Sequence, residues 1–157
     1  MKILVLAVSQ KTPEWVRLAW QTYTKRLPSE WNLELREVKP APRQLGKTAQ
    51  QNMALEAERL GAALKGRNCI KVALDEHGKA LTTQALHDLV ERFQLQAPEI
   101  AFIIGGPDGL DATFKQSCDV KVQLSAMTLP HAMVKVLLIE QIYRVASIAT
   151  NHPYHRE

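Results

Sequence analysis

A chain of 157 residues with 46% hydrophobic and 23% charged residues can bury one full core in a single domain spanning residues 1–157, and its composition argues against disorder. The net charge of +4 is uneven: residues 1–78 hold 13 Lys and Arg against 8 Asp and Glu, whereas residues 79–157 hold 7 against 8. A basic first half suits a polyanionic partner or an ordinary solvated surface.

Short apolar runs of strand type alternate with longer segments of helical period, which predicts an α/β fold with a mainly parallel sheet flanked by helices. Met1 to Val8 is a short apolar run with one lysine and no cleavage pattern, and reads as a first strand rather than a targeting segment. Thr12-Pro13 offers a cap and an initial proline to a helix on which Val16, Trp20, Tyr23 and Leu27 recur up to Pro28. Trp31 to Arg36 alternates like a half-exposed strand near an edge. Beyond a loop rich in proline and basic residues, Met53, Ala57, Leu60 and Leu64 mark a second helix ending near Gly66. Cys69 to Leu74 is an apolar strand, Asp75 to Gly78 a turn, and Thr82 or Thr83 can cap a third helix with Leu86, Leu89, Val90 and Phe93 inward. Glu99 to Ile104 is the next strand, then a short helix near Asp111 to Ser117 and a strand near Val120 to Leu124. Pro130 can open a long helix to about Thr150, and its Lys135, Glu140 and Arg144 interrupt a run that would otherwise approach the roughly 20 apolar residues of a membrane span. On that helix Val134, Leu137, Leu138, Ile142 and Val145 can serve both the core and a self-complementary surface.

The motifs lie at strand ends. Phe102 to Gly109 runs from a buried strand into Gly105-Gly106-Pro107-Asp108-Gly109, and Leu124 to His131 follows a second strand with small polar residues. Leu74 ends a third, so three loops gather on one sheet edge, where parallel sheets hold ligands. Glycines let a ligand approach the backbone, although a plain tight turn needs the same residues. The spacing is not that of a dinucleotide fingerprint, and Pro107 removes an amide that a pyrophosphate would use. Gly46-Lys47-Thr48 resembles the end of a phosphate loop, but Ala41 stands where its first glycine belongs, which excludes a nucleotide hydrolase of that type. Arg36, Lys39, Arg43 and Lys47, spaced by Pro40 and Pro42, can reach phosphates or can form a solvated loop. Tyr154, His155 and Arg156 in the tail combine a stacking ring, a proton-transfer group and a phosphate binder, in a place where chains also fray. His77, His87 and His131 read as surface or cap residues, with His131 at the mouth of the second loop. No pattern calls for a metal, and Cys69 and Cys118, isolated in sequence, fit reduced thiols in a cytoplasmic protein.

Three separated segments, IIGGPDGL from Ile103, LSAMTLPH from Leu124 and TNHPYHRE from Thr150, occur in an order that resembles the bacterial ribosomal RNA large subunit methyltransferase H family over the whole chain. Asp108, where relatives can carry Glu, and Met127, where they can carry Leu, are mild departures. The resemblance implies a SPOUT-type α/β fold with a C-terminal trefoil knot, a homodimer, and S-adenosyl-L-methionine held by Leu74, Gly105, Leu124, Ser125, Ala126, Met127, Thr128 and Leu129. It further implies methylation of N3 of a pseudouridine in large-subunit (23S) ribosomal RNA on assembled ribosomes, with no metal and no membrane. Tyr154 and His155 of the matching C-terminal segment, with Arg144 ahead of it, are the expected catalytic residues. Arg36, Lys39, Arg43, Lys47 and Arg156 are the expected RNA contacts. Two alternatives stand beside this reading: a noncatalytic RNA-binding or ribosome-assembly module with a knotted fold, and a flavodoxin-like nucleotide-binding enzyme.

Overall fold

Five β-branched and aliphatic runs pair into one parallel sheet in the order Asn32–Val38, Lys2–Val8, Glu99–Ile104, Cys69–Ala80, Val120–Gln123. The computed structural model describes residues 1–156. In chain order the elements are β1 (Lys2–Val8), α1 (Glu14–Thr24), β2 (Asn32–Val38), α2 (Ala49–Leu64), β3 (Cys69–Ala80), α3 (Thr83–Gln94), β4 (Glu99–Ile104), α4 (Ala112–Ser117), β5 (Val120–Gln123) and α5 (His131–Ala149), followed by a 3-10 turn, Pro153–His155.

Both faces of the sheet are covered, which is why β1 and β4 are apolar almost throughout instead of alternating. On one side Ile3, Val5 and Ala7 of β1 join Val16 and Trp20 of α1, Leu86, Leu89 and Phe93 of α3, and Leu138, Ile142 and Val145 of α5. On the other, Leu4, Leu6 and Val8 pack against Leu60, Ala63 and Leu64 of α2 and Phe114 of α4. Complete burial of a side chain such as Leu60 contributes about 1.5–3 kcal/mol. β2 lies at an edge, as its alternation predicts. Of the apolar α5 residues expected to do double duty, Leu138, Ile142 and Val145 are core, while Val134 and Leu137 remain half-buried.

Two local expectations are corrected. Thr12 does not cap α1: Pro13 is the N-cap residue, no side chain caps the helix, and the Thr12 hydroxyl donates to the Glu37 carboxylate at 2.5 Å. Glu37 also accepts from the buried Lys135, and that pair holds the hydroxyl away from the helix. Nor does β3 stop at Leu74. The strand runs on to Ala80, and the Asp75–Gly78 segment is a break in its register with β5, because both Leu74 and Lys79 face Val122. Gly78 makes this fit possible, since a Cβ there would stand 2.6 Å from the Val122 carbonyl carbon. Thr48 caps α2 through a reciprocal pair with Gln51, which explains Gly46-Lys47-Thr48 as a helix start. Thr82 caps α3 through the amide of Ala85.

Candidate functional site

The C-terminal ends of β1, β3, β4 and β5 open onto one cleft of about 950 Å³. Its walls include Leu74, the whole Gly105–Leu110 turn and the whole Leu124–Leu129 loop, so all eight positions expected to bind cofactor line it. The turn is tight: the Gly109 amide donates to the Gly106 carbonyl at 3.0 Å, with Gly109 at φ +87°. A Cβ on Gly105 would come within 2.7 Å of the Gly109 carbonyl carbon, so the turn closes only over a bare backbone. In the second loop the Met127 amide donates to Ser125 Oγ at 2.9 Å, and the Met127 side chain is 78% exposed at the rim.

Polar side chains brace these loops. His131, the first residue of α5, places Nε2 2.9 Å from the Gly105 carbonyl and so donates to it. Burial, aided by the charge of Lys135, lowers the His131 pKa, which keeps the ring neutral with its proton on Nε2 at neutral pH. One turn further along, Lys135 is 1% exposed, with Nζ at 2.8 Å from Ser9 Oγ and 3.3 Å from Glu37 Oε2. Burial alone would raise the Glu37 carboxyl, but hydrogen bonds from Thr12 and Ser9 and the Lys135 charge leave it lowered. On the far wall Lys115 pairs with Asp75 at 3.2 Å. Arg43 stands between Asp108 of the glycine turn, at 3.2 Å, and Glu56 of α2, at 3.6 Å.

Tyr154, His155 and Arg144 come together elsewhere. The Tyr154 hydroxyl donates to Glu140 at 3.0 Å, Arg144 pairs with the same carboxylate at 2.9 Å, and the guanidinium lies 4.7 Å from the centre of the Tyr154 ring. Arg144 also donates to the His155 carbonyl, and Tyr143 meets the Tyr154 ring edge-on at 4.6 Å. Burial first, then the Tyr23 and Glu140 partners, push the Tyr154 phenol well above its ordinary pKa. This cluster sits beside the middle of α5: Glu140 lies roughly 13 Å along the axis from His131 at 1.5 Å per residue. No cleft-lining residue among those described comes from beyond Val134, so within one chain the tail and the cleft are separate. Arg36, Lys39, Lys47 and Arg156 are exposed, and the loop of Lys39 and Pro40 is held by Arg59, which donates to both carbonyls.

The sequence reading gave no site role to three charged residues. Glu56 is 2% exposed and Lys135 1%, and each interrupts an apolar stripe at helical spacing, Glu56 ahead of Leu60 and Lys135 ahead of Leu138 and Ile139. That interruption was the available signal. The third, Lys115, carried none, because its partner Asp75 is 40 positions away. His87, expected at the surface, is buried at 8% exposure beside Asp88 and Glu91 of its own helix. Among the described residues no group of three or more His, Cys, Asp or Glu is placed to hold a metal, and no helix is long and apolar enough to cross a membrane. Cys69 and Cys118 are free, and burial raises both thiol pKa values, which leaves them poor nucleophiles.

Residues 1–155 match the family described as "Predicted SPOUT methyltransferase". The chain belongs to this SPOUT family. Among its relatives, the Bordetella avium protein named "Ribosomal RNA large subunit methyltransferase H" is 53% identical over 156 residues, covering 99% of both chains. A Polaromonas naphthalenivorans protein of the same name is 51% identical over 157 residues and covers all of both. The crystal structure of a probable methyltransferase from Bordetella pertussis shares the SPOUT fold at a TM-score of 0.56 and 18% identity, over 92% of this chain and 95% of that one. A probable methylase family protein from Haemophilus influenzae gives 0.58 at 14% identity, over 99% of this chain and 70% of that one.

Proposed function

We propose that this protein is an S-adenosyl-L-methionine-dependent methyltransferase of large-subunit (23S) ribosomal RNA, acting in the cytoplasm on N3 of a pseudouridine in assembled ribosomes. The observation that carries the reading is the convergence of all eight motif positions on one cleft, in a chain whose full-length relatives are named ribosomal RNA large subunit methyltransferases. A cavity of about 950 Å³ is within the range that holds a cofactor of this size. The fit is also chemical: glycines leave main-chain groups exposed to hydrogen-bond an adenine, and Leu74, Leu124 and Leu129 supply apolar contact to its faces.

When bound, the cofactor supplies a sulfonium methyl with a neutral leaving group, so the protein need only align the acceptor, exclude water and take up the N3 proton. Tyr154 and His155 seat or deprotonate the base, and Arg144 orients Tyr154 while holding charge. Tyr154, with its phenol pKa raised, acts as a neutral hydrogen-bonding and stacking group, which leaves the imidazole of His155 as the proton acceptor. The separation between tail and cleft within one chain supports a homodimer in which the tail of one protomer completes the cleft of the other. A C-terminal trefoil knot in the Leu124–Leu129 region belongs to this proposal. Arg36, Lys39, Lys47 and Arg156 track the RNA backbone, while Arg43, expected among them, is engaged by Glu56 and Asp108.

The test is tritium transfer from labelled S-adenosylmethionine to ribosomes with and without the target pseudouridine, followed by mapping of the labelled nucleotide. Label at another nucleotide keeps the enzyme class and rejects the substrate. No saturable cofactor uptake in a calorimetric titration rejects the enzyme and leaves the noncatalytic RNA module. Unchanged single-turnover rates in His155→Ala and Tyr154→Phe reject those two roles. Mixed dimers pairing a tail-less protomer with one defective in the cleft retain activity if the site is shared.

A further inference from the structure

The glycine turn has a support that the proposed reaction does not account for. Glu56, on the buried face of α2, accepts the Ala41 amide at Oε2 over 2.9 Å, while its Oε1 is buried with no hydrogen-bond partner. That orphan oxygen lies under the turn: a Cβ on Gly106 would stand 3.0 Å from Oε1 and 3.3 Å from Oε2. A buried carboxylate with an unmatched oxygen opposes folding unless a cation offsets its charge. The cation is Arg43, 3.6 Å from Glu56 and 3.2 Å from Asp108 on the cleft rim. The Arg43 side chain is 41% exposed and Asp108 30%, whereas Glu56 is 2%, so one flat guanidinium ties a buried acid to an acid on the cleft rim.

We propose that Arg43 and Glu56 are positioning residues of the cleft, clamping the Gly105–Gly109 turn through Asp108 and thereby setting affinity for the methyl donor. The cofactor part of this inference rests on the proposed function; the clamp itself does not. Arg43 does more than neutralise. Without it, Glu56 beneath Gly106 and Asp108 within the turn lose the guanidinium nitrogen they share, and their repulsion lifts the turn into the cleft. The harm done by losing Arg43 therefore depends on the Asp108 charge, which distinguishes a clamp from two unrelated surface residues.

The experiment uses the full chain and two readouts. In titrations with S-adenosylmethionine, Arg43→Met weakens binding about tenfold and Asp108→Asn about threefold, while the double variant binds no more weakly than Arg43→Met alone. Asp108→Glu, which keeps the carboxylate, stays within about twofold of the wild type. In ligand-free protein, amide exchange over residues 105–110 accelerates at least about tenfold in Arg43→Met and returns toward the wild-type rate in the double variant. Losses that multiply to about thirtyfold, or unchanged affinity in Arg43→Met, overturn the inference for the cofactor. If the wild type takes up no S-adenosylmethionine, the proposed function falls and exchange alone decides: unchanged exchange in Arg43→Met overturns the clamp.

Discussion

Replacing Gly105 by alanine adds one methyl group at the tightest point of the cleft. The new Cβ would lie 2.7 Å from the Gly109 carbonyl carbon, 3.0 Å from its oxygen and 3.0 Å from Leu110 Cγ, where ordinary contact begins near 3.4 Å. The backbone of the turn must therefore open by about 0.7 Å, and no flexible side-chain tip can absorb the movement. Overpacking of this kind costs about 1–3 kcal/mol. The cost divides between stability and binding: a turn that yields loses cofactor geometry, and one that resists destabilises the fold. Urea denaturation and calorimetric titration with S-adenosylmethionine, performed on the same variant, should together account for that sum. Gly109→Ala separates clash from strain, because its Cβ meets nothing within 4 Å but its φ of +87° is unfavourable to an L side chain. It should lose roughly 1–2 kcal/mol of stability. If Gly105→Ala matches the wild type in both stability and cofactor affinity, the close-packed turn described here is wrong.

Gly61→Ala, inside α2 with open space around its Cβ, should stabilise the protein by roughly 0.4–1 kcal/mol in the same denaturation assay. Lys135→Met should destabilise by about 2 kcal/mol, because Ser9, Thr12 and Glu37 lose a charged partner at a buried position. The Glu37 carboxyl is lowered in the folded state, so its contribution is present above its unfolded pKa of about 4.3 and is lost as pH falls through the folded value. Glu37→Gln should flatten the acid limb of a stability–pH profile, and an unchanged limb would count against the Lys135 cluster. Tyr154 has the opposite sign: with its phenol raised, its contribution holds below the unfolded value of about 10 and fades as pH rises beyond it. Ultraviolet titration should show a late-ionising phenol that Tyr154→Phe removes.

The pattern of apolar runs was enough to name the elements, because strands buried on both faces and helices buried on one leave different periods in the chain. The C-terminal segments were enough to name the family. Sequence alone also put the turn at Gly105 and the loop from Leu124 at strand ends, and parallel pairing then requires both to open on the same edge. What remained illegible depends on partners far apart in the chain. Nothing local marks Asp75–Gly78 as an excursion of β3, since the cause is the backbone of Val122 lying against Gly78. Nothing local takes Thr12 from α1, since Glu37 and Lys135 are distant in sequence. Arg43 reads as one more basic residue in a proline-rich loop until Glu56 and Asp108 are seen on either side of it. Periodicity reports which face of an element is buried; only the folded chain decides which charges meet there, because that depends on how distant strands and helices are brought into register.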